Sequence, residues 1–262
     1  MQLIRSWAGT AAFLPVFGAI LLVFDVAQRI ARLFGQRAQE YVAGALQVTL
    51  VAAFRLCGTR LEVERAPGFV SGRSYVVVSN HQSMFDIALL GTLLFWCFPK
   101  YVSKRSLGRG IPSISYNLRR GGHVLIDRDD PERAVAAIGA LGRRVQAGGI
   151  SGVIFPEGTR SRAGELREFR RAGTLALLAA APDVPVVPVV IDQSWRLLAH
   201  NMFPIPWGVR VRARIGEPIA RRPGDTEALL DHVREDMLAT LARWRGSAAA
   251  EPAPEGLRRG LV

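Results

Sequence analysis

The stretch SYVVVSNHQSMFD, residues 74–86, decides the fold of this chain. Its first part, 74–79, has the apolar and β-branched composition of a buried strand. Residues 84–98 are strongly apolar and favour a helix. A strand that leads directly into a helix is the repeating unit of α/β proteins, whose ligands bind at the carboxyl ends of the strands. His81 lies at such an end.

The rest of the chain repeats this alternation from about residue 61 onward. It predicts an α/β domain with a mixed, mostly parallel sheet flanked by helices. Further strands are expected at 101–103, 123–127, 152–155, 184–191 and 209–215, and helices at 131–146, 172–180 and 226–244. Residues 106–120 are expected to form a helical segment broken around Pro112. Pro185 and Pro188 have no N–H to donate, so their strand is expected at a sheet edge or a bulge.

Two apolar segments precede this domain. Residues 7–24 form an uncharged run that would make a helix of about 27 Å, close to the ~30 Å hydrocarbon core of a bilayer. No small-x-small cleavage site follows, so we expect a retained membrane segment rather than a signal peptide. Residues 41–54 are too short for a full crossing and favour an interfacial or re-entrant helix.

Arg5 alone precedes the first apolar segment, whereas Arg29, Arg32 and Arg37 follow it, so we expect the downstream domain on the cytoplasmic side of the cytoplasmic membrane. The expected organisation is a pair of membrane-anchoring helices over 1–58 and a catalytic domain over 59–245. The composition of residues 246–262, rich in Ala, Pro, Glu and Gly, predicts a disordered tail.

The formal net charge of +12 favours anionic partners, such as nucleic acid, anionic lipid headgroups or an acidic carrier protein. Nucleic acid is disfavoured because the sequence has no zinc-finger spacing, RNA-binding aromatic motif or basic heptad helix. Cys57 and Cys97 lie far apart in apolar surroundings, which predicts two buried thiols. With no metal-binding or dinucleotide motif, we expect no cofactor.

His81 and Asp86 are five residues apart across the predicted strand-to-helix turn. Inside one regular helix they would point about 140° apart, so contact requires His81 in the turn and Asp86 in the first helical turn. Asp86 would then keep one ring nitrogen protonated and leave the other as a base. No Gly-x-Ser-x-Gly nucleophile elbow is present, which favours a histidine that deprotonates a substrate hydroxyl for attack on an acyl carbonyl. A helix-capping histidine beside an unrelated aspartate is the alternative.

A second motif, FPEGTRS at residues 155–161, follows another predicted strand. Gly158 and Thr159 form a turn whose backbone can approach an anion, and Arg160 can bind a phosphate through paired hydrogen bonds. Glu157 would fix that arginine or bind a substrate hydroxyl. Taken alone, the motif also fits a charged surface turn.

Together these motifs resemble the glycerolipid acyltransferase family, most closely the bacterial 1-acyl-sn-glycerol-3-phosphate acyltransferases. Residues 80–86 and 155–161 match its first and third blocks. The second block matches as Lys104-x-x-Leu107, Pro112 and Ile126-Asp127-Arg128, and the fourth as residues 184–189. Two departures occur: Ser115 stands where the family often has glycine, and residues 169–173 carry one residue more than the usual Phe-Lys-x-Gly.

The resemblance implies a membrane-bound O-acyltransferase that moves a fatty acyl group to the sn-2 hydroxyl of 1-acyl-glycerol-3-phosphate, giving phosphatidate. The donor would be acyl-CoA or acyl-carrier protein. Another lysolipid acceptor, such as a lyso-ornithine lipid, stays open. So do two other classes, a thioesterase or lipid hydrolase and a non-catalytic membrane lipid-binding protein.

The same resemblance implies roles for individual residues. His81 and Asp86 would be the catalytic pair, and Glu157 would orient the glycerol backbone. Two or more fixed cations suit a phosphate monoester. The implied substrate-binding residues are Lys104, Arg128, Glu157, Gly158, Thr159 and Arg160.

Overall fold

The computed structural model describes residues 1–127, 129–222, 224 and 226–249. Its helices are α1 (Gln2–Leu33), α2 (Gln36–Ala53), α3 (Asp86–Leu93), α4 (Ile114–Arg120), α5 (Pro131–Gln146), α6 (Arg171–Ala179) and α7 (Thr226–Ala249). Its strands are β1 (Arg60–Arg65), β2 (Val76–Ser79), β3 (Pro99–Lys104), β4 (Val124–Ile126), β5 (Ser151–Ile154), β6 (Val186–Asp192) and β7 (Arg210–Ile215). Short 3-10 segments lie at Phe54–Cys57, Phe95–Cys97, Arg105–Gly108 and Ser194–Met202.

The strands form one seven-stranded sheet in the order β1-β7-β6-β2-β5-β3-β4. The five strands β2 to β6 run parallel to one another. β7 runs antiparallel to β6, and β1 pairs with β7 in parallel. The predicted α/β class with a mixed, mostly parallel sheet is therefore confirmed.

The sheet lies between two layers of helices, because neighbouring side chains along a strand point to opposite faces. In β2, Val77 packs in the cluster that contains Phe13 of α1 and Leu90 of α3. Its neighbour Val76 packs on the other face, where α5, α6 and α7 contribute Leu141, Leu177 and Val233. This arrangement leaves the carboxyl ends of the five parallel strands at one edge of the molecule.

Of the two positions expected for the strand with two prolines, a sheet edge or a bulge, the edge is wrong. β6 is an interior strand between β7 and β2, and all of its residues are buried. Val186 exchanges both backbone hydrogen bonds with Ile219, whereas the carbonyl of Pro188 accepts from the amide of Gly216. The nitrogen of Pro188 faces this same side, just past the last paired residue of β7. Pro185 precedes the strand.

The helix expected over residues 84–98 is shorter, because α3 ends at Leu93. Leu94 and Cys97 are buried in the core, so their apolar character reflects burial and not helical periodicity. Both cysteines are free and buried, as predicted. α7 continues through Ala249, beyond its predicted end and into the expected tail, and residues 250–262 lie outside the described part.

The two N-terminal helices are long and apolar enough to cross a membrane by length and composition. They also bind the rest of the protein. Near the start of α1, the Thr10 hydroxyl accepts from the amide of Ile205 at 2.9 Å. Near its end, Asp25 accepts from the amide of Ser113 at 2.6 Å. α1 is thus held along the domain from both ends.

Candidate active site

The side chains predicted to carry the chemistry follow parallel strands of the sheet. His81 comes after β2, Glu157 after β5, and Lys104 ends β3. Since these three strands are parallel neighbours, their carboxyl ends meet at the same edge. The sheet therefore brings residues of the separate motifs together at the carboxyl ends of its strands.

His81 and Asp86 are in direct contact, as the motif predicted. The Nδ1 atom of His81 lies 2.9 Å from Oδ2 of Asp86. Asp86 is the first residue of α3 and is fully buried, and the same Oδ2 accepts from the amides of Gln82 and Ser83. The turn between strand and helix thus bends the chain back on the carboxylate, which brings the histidine ring within reach.

The contact decides which ring nitrogen of His81 can act. An ionised carboxylate only accepts hydrogen bonds, so Nδ1 carries the proton and Nε2 keeps its lone pair. The side chain is 16% exposed, and its ring stacks on Phe155 with centroids 4.1 Å apart. The ring is therefore oriented from two sides and remains open to an incoming substrate.

The Glu157 carboxylate also binds His81, through the backbone amide instead of the ring. Its Oε1 accepts from the amide of His81 at 2.6 Å, and its Oε2 accepts from the amide of Arg167 at 2.9 Å. Burial raises the pKa of this carboxyl above its usual value, and the two amide hydrogen bonds offset only part of that rise. Ser161 adds a bond from its amide to the carbonyl of His81. Both carboxylate oxygens of Glu157 are thus engaged with backbone amides.

Gly158 occupies a position that another residue would strain. Its φ is +68°, in the left-handed region, and its amide closes a turn on the carbonyl of Phe155. An added Cβ would lie 2.9 Å from Cδ of Arg170. The backbone conformation therefore favours glycine at this position of the third block, and a larger residue would also displace the Arg170 side chain.

The model of the acyltransferase family matches residues 60–192, which include all of the groups described above. This chain belongs to the acyltransferase family. Its relatives include the 1-acyl-sn-glycerol-3-phosphate acyltransferase alpha of Mus musculus, 32% identical over 200 residues, with 74% of this chain and 67% of the relative covered. The Homo sapiens protein of the same name is 30% identical over 198 residues, which cover 74% and 68%.

A solved structure has the same fold. It is the 1-acyl-sn-glycerophosphate acyltransferase of Thermotoga maritima, with a TM-score of 0.72, 21% identity and coverage of 93% of this chain and 98% of that one. The match extends over the N-terminal helices as well as the sheet. The fold expected from the motifs is thus shown over nearly the whole length of this chain.

The predicted cations of the acyltransferase are less tightly placed than the histidine pair. Lys104 and Arg160 are exposed, and Thr159 is partly buried. Arg128 lies outside the described residues. The structure therefore brings His81, Asp86 and Glu157 into contact, and leaves two exposed cations at the ends of β3 and of the third-block turn.

The loop of the second block is closed by Ser115, the residue that stands where the family often has glycine. The Ser115 hydroxyl donates to the carbonyl of Leu107 at 2.8 Å and accepts from the amide of Ile111 at 3.1 Å. Ser113, two residues earlier, has a φ of +64°. Serine at position 115 thus supplies hydrogen bonds that a glycine could not.

Sequence reasoning missed two contributors to the site. The side chain of Asn80 exchanges two hydrogen bonds with the backbone of Ile191, which ties the end of β2 to β6. Ser194, just after β6, donates to Oδ1 of Asp86 at 2.6 Å. Asn80 lies inside the first block, so the motif itself was a signal that could have identified it. For Ser194 no local signal exists, because its partner is far away in sequence.

Proposed function

We propose that the protein transfers a fatty acyl group from acyl-CoA or acyl-carrier protein to the sn-2 hydroxyl of 1-acyl-glycerol-3-phosphate, giving phosphatidate. The observation that carries this proposal is the hydrogen bond between His81 and the buried Asp86, at the edge where the sheet collects its strand ends. Membership of the acyltransferase family and the names of the relatives support the acceptor class.

In the proposed reaction, Nε2 of His81 takes the proton of the sn-2 hydroxyl as its oxygen attacks the thioester carbonyl. The tetrahedral intermediate collapses with loss of the thiolate, which receives the proton back from Nε2. An ester and a free thiol result. Asp86 stabilises the imidazolium that forms between these steps, and base assistance of this kind contributes roughly 10²–10⁴-fold.

Lys104 and Arg160 are the proposed contacts of the acceptor's phosphate, with Arg128 implied by the motif alone. Both described cations are exposed at the edge that carries His81, where a dianionic phosphate would gain hydrogen bonds as well as charge neutralisation. An acceptor without phosphate, such as a lyso-ornithine lipid, offers one carboxylate beside its own ammonium group, which matches two such cations less well than a dianionic phosphate.

We further propose that the enzyme works at the cytoplasmic face of the cytoplasmic membrane, on which α1 and α2 lie. Because α1 is bound to the domain near both ends, it offers the bilayer its outward face instead of a free spanning segment. The large apolar residues exposed on that face include Leu3, Ile4, Trp7, Leu22, Val23, Val26 and Ile30. A cationic protein also gains from anionic headgroups.

An acceptor panel tests the function. The enzyme in detergent micelles is given one labelled acyl thioester with lysophosphatidate, a phosphate-free lysolipid or no acceptor, and His81→Ala is assayed in parallel. We expect phosphatidate from the wild type and a rate at least roughly 100-fold lower from the variant. Transfer only to the phosphate-free lysolipid would show that this lipid, and not lysophosphatidate, is the acceptor. Acyl release without acceptor would indicate a hydrolase, and lipid binding without turnover a binding protein.

A further inference from the structure

The buried carboxylate of Asp86 is held at both oxygens by different parts of the chain. Three donors reach Oδ2: Nδ1 of His81 at 2.9 Å and the amides of Gln82 and Ser83 at 2.7 and 2.8 Å. All three belong to the turn that precedes Asp86. Oδ1 accepts from the hydroxyl of Ser194 at 2.6 Å, across 108 residues of sequence.

The two oxygens have different mechanical effects. Hydrogen bonds to Oδ2 alone fix that atom but leave the carboxylate plane able to tilt about the line from Cβ to Oδ2. A bond to Oδ1 from a separate element removes this freedom and fixes the plane of the group. Because the acceptor is charged, such a bond is shorter and stronger than one between neutral groups.

Ser194 is itself rigidly supported. It is 1% exposed and follows Gln193, whose backbone is in the left-handed region. The last residues of β6 are bound on either side: Ile191 by the side chain of Asn80, and Asp192 by Arg245 at 2.8 Å. The hydroxyl is therefore presented to Asp86 from a fixed part of the sheet.

We infer that Ser194 is a positioning residue, which holds Asp86 in the plane that keeps the His81 ring aimed at the acceptor hydroxyl. This inference rests on the proposed function, in which His81 is the base. The hydroxyl is buried and its proton is donated to Asp86, so Ser194 does not serve as an acyl-accepting nucleophile. Its effect on the reaction passes through the carboxylate.

Ser194→Ala tests the inference in the lysophosphatidate assay. We expect kcat to fall roughly tenfold to 100-fold, as for loss of a hydrogen bond to a charged group, while KM for acceptor and thioester stays within about twofold. Ser194→Thr keeps the hydroxyl and restores most of the rate. A Thr variant as slow as the Ala variant, with an unchanged melting temperature, contradicts the inference.

A second comparison asks whether Ser194 acts through Asp86. In an Asp86→Ala background, Ser194→Ala is expected to change kcat by less than about twofold, because residues that act as a unit are not additive. The same fall in both backgrounds would show an independent role and overturn the proposal.

Ser151→Ala is the matched control. Ser151 is also fully buried, and its hydroxyl accepts from the amide of Tyr75 at 3.0 Å. It is the first residue of β5, however, and so lies at the amino ends of the strands, away from the site. We expect it to lower stability and leave kcat unchanged. Wild-type transfer with an unaffected Ser194→Ala variant refutes only the positioning role, whereas absence of transfer by the wild type refutes the proposed function.

Discussion

Glu157 shows how a residue can be recognised from sequence while its contacts are not. The third block predicted that this carboxylate would orient the glycerol backbone. In the structure it is 2% exposed, and its two oxygens accept from the amides of His81 and Arg167. We therefore propose that it positions the histidine turn, and that the acceptor is bound by other groups.

Glu157→Gln separates these two roles. A glutamine has one acceptor oxygen, so its NH₂ group would face a backbone N–H and leave that donor unsatisfied, at a cost of about 1–3 kcal/mol of stability. We expect kcat and the melting temperature to fall, with KM for lysophosphatidate nearly unchanged.

The matched control is Glu168→Gln, because the Glu168 side chain is 89% exposed and pairs with Arg234 on the surface. Glu168→Gln is expected to leave kcat and the melting temperature unchanged. A rise in KM for Glu157→Gln at constant melting temperature would instead support direct contact with the acceptor.

At the scale of elements, α2 is fastened to the sheet by a buried ion pair. Nζ of Lys100 in β3 lies 2.7 Å from Oε1 of Glu40, and the two side chains are 3% and 6% exposed. Burial lowers the pKa of Lys100, and Glu40 opposes that shift. Nearby, burial lowers the pKa of His123 to about 3, and its Nδ1 accepts from the amide of Tyr101, so this histidine is neutral and structural.

Removing Lys100 takes away the buried partner of Glu40 and, among the described residues, leaves its carboxylate with only Arg37 at 3.0 Å and the Gln36 amide at 2.9 Å. Lys100→Met is therefore expected to lower the free energy of unfolding by about 3–5 kcal/mol. The double variant Lys100→Met, Glu40→Leu should recover most of this loss, because both charges are gone. Denaturant unfolding in detergent measures both.

Arg133→Met provides the comparison, since its ion pair with Asp130 is exposed and contributes at most about 1 kcal/mol. If Lys100→Met were as mild as this surface variant, the pair would not fasten α2 to the domain.

At the scale of the whole molecule, exposed apolar side chains are concentrated on the N-terminal helices. α1 exposes Leu22 and Val26 on a face that no other described element covers. A contiguous surface of this kind marks a membrane or protein contact. The length of α1 and the net charge of +12 both favour the membrane.

Vesicle flotation tests this surface with substitutions that leave the core intact. Leu22→Asp combined with Val26→Asp is expected to weaken binding to anionic vesicles by at least roughly tenfold, since it removes buried apolar area and adds negative charge. Leu238→Asp is the control, because Leu238 is similarly exposed but lies on α7. Equal binding by all three proteins would contradict the proposed membrane face.

The sequence by itself determined the α/β class, the bounds of α5 and the resemblance to the acyltransferases, and it predicted the contact of His81 with Asp86 that the structure shows. These features depend on local patterns: the composition of strands and helices, a Pro and a Gly pair that delimit a helix, and a turn five residues long. A short turn allows few geometries, so spacing limits whether two side chains can meet.

Only the tertiary structure decided the interior place of β6, the backbone contacts of Glu157, the binding of α1 along the domain and the contact of Ser194 with Asp86. Each joins groups that are far apart in sequence or depends on strand order. Local propensity carries no information about such contacts, because strand order and side-chain partners are selected by packing of the whole core.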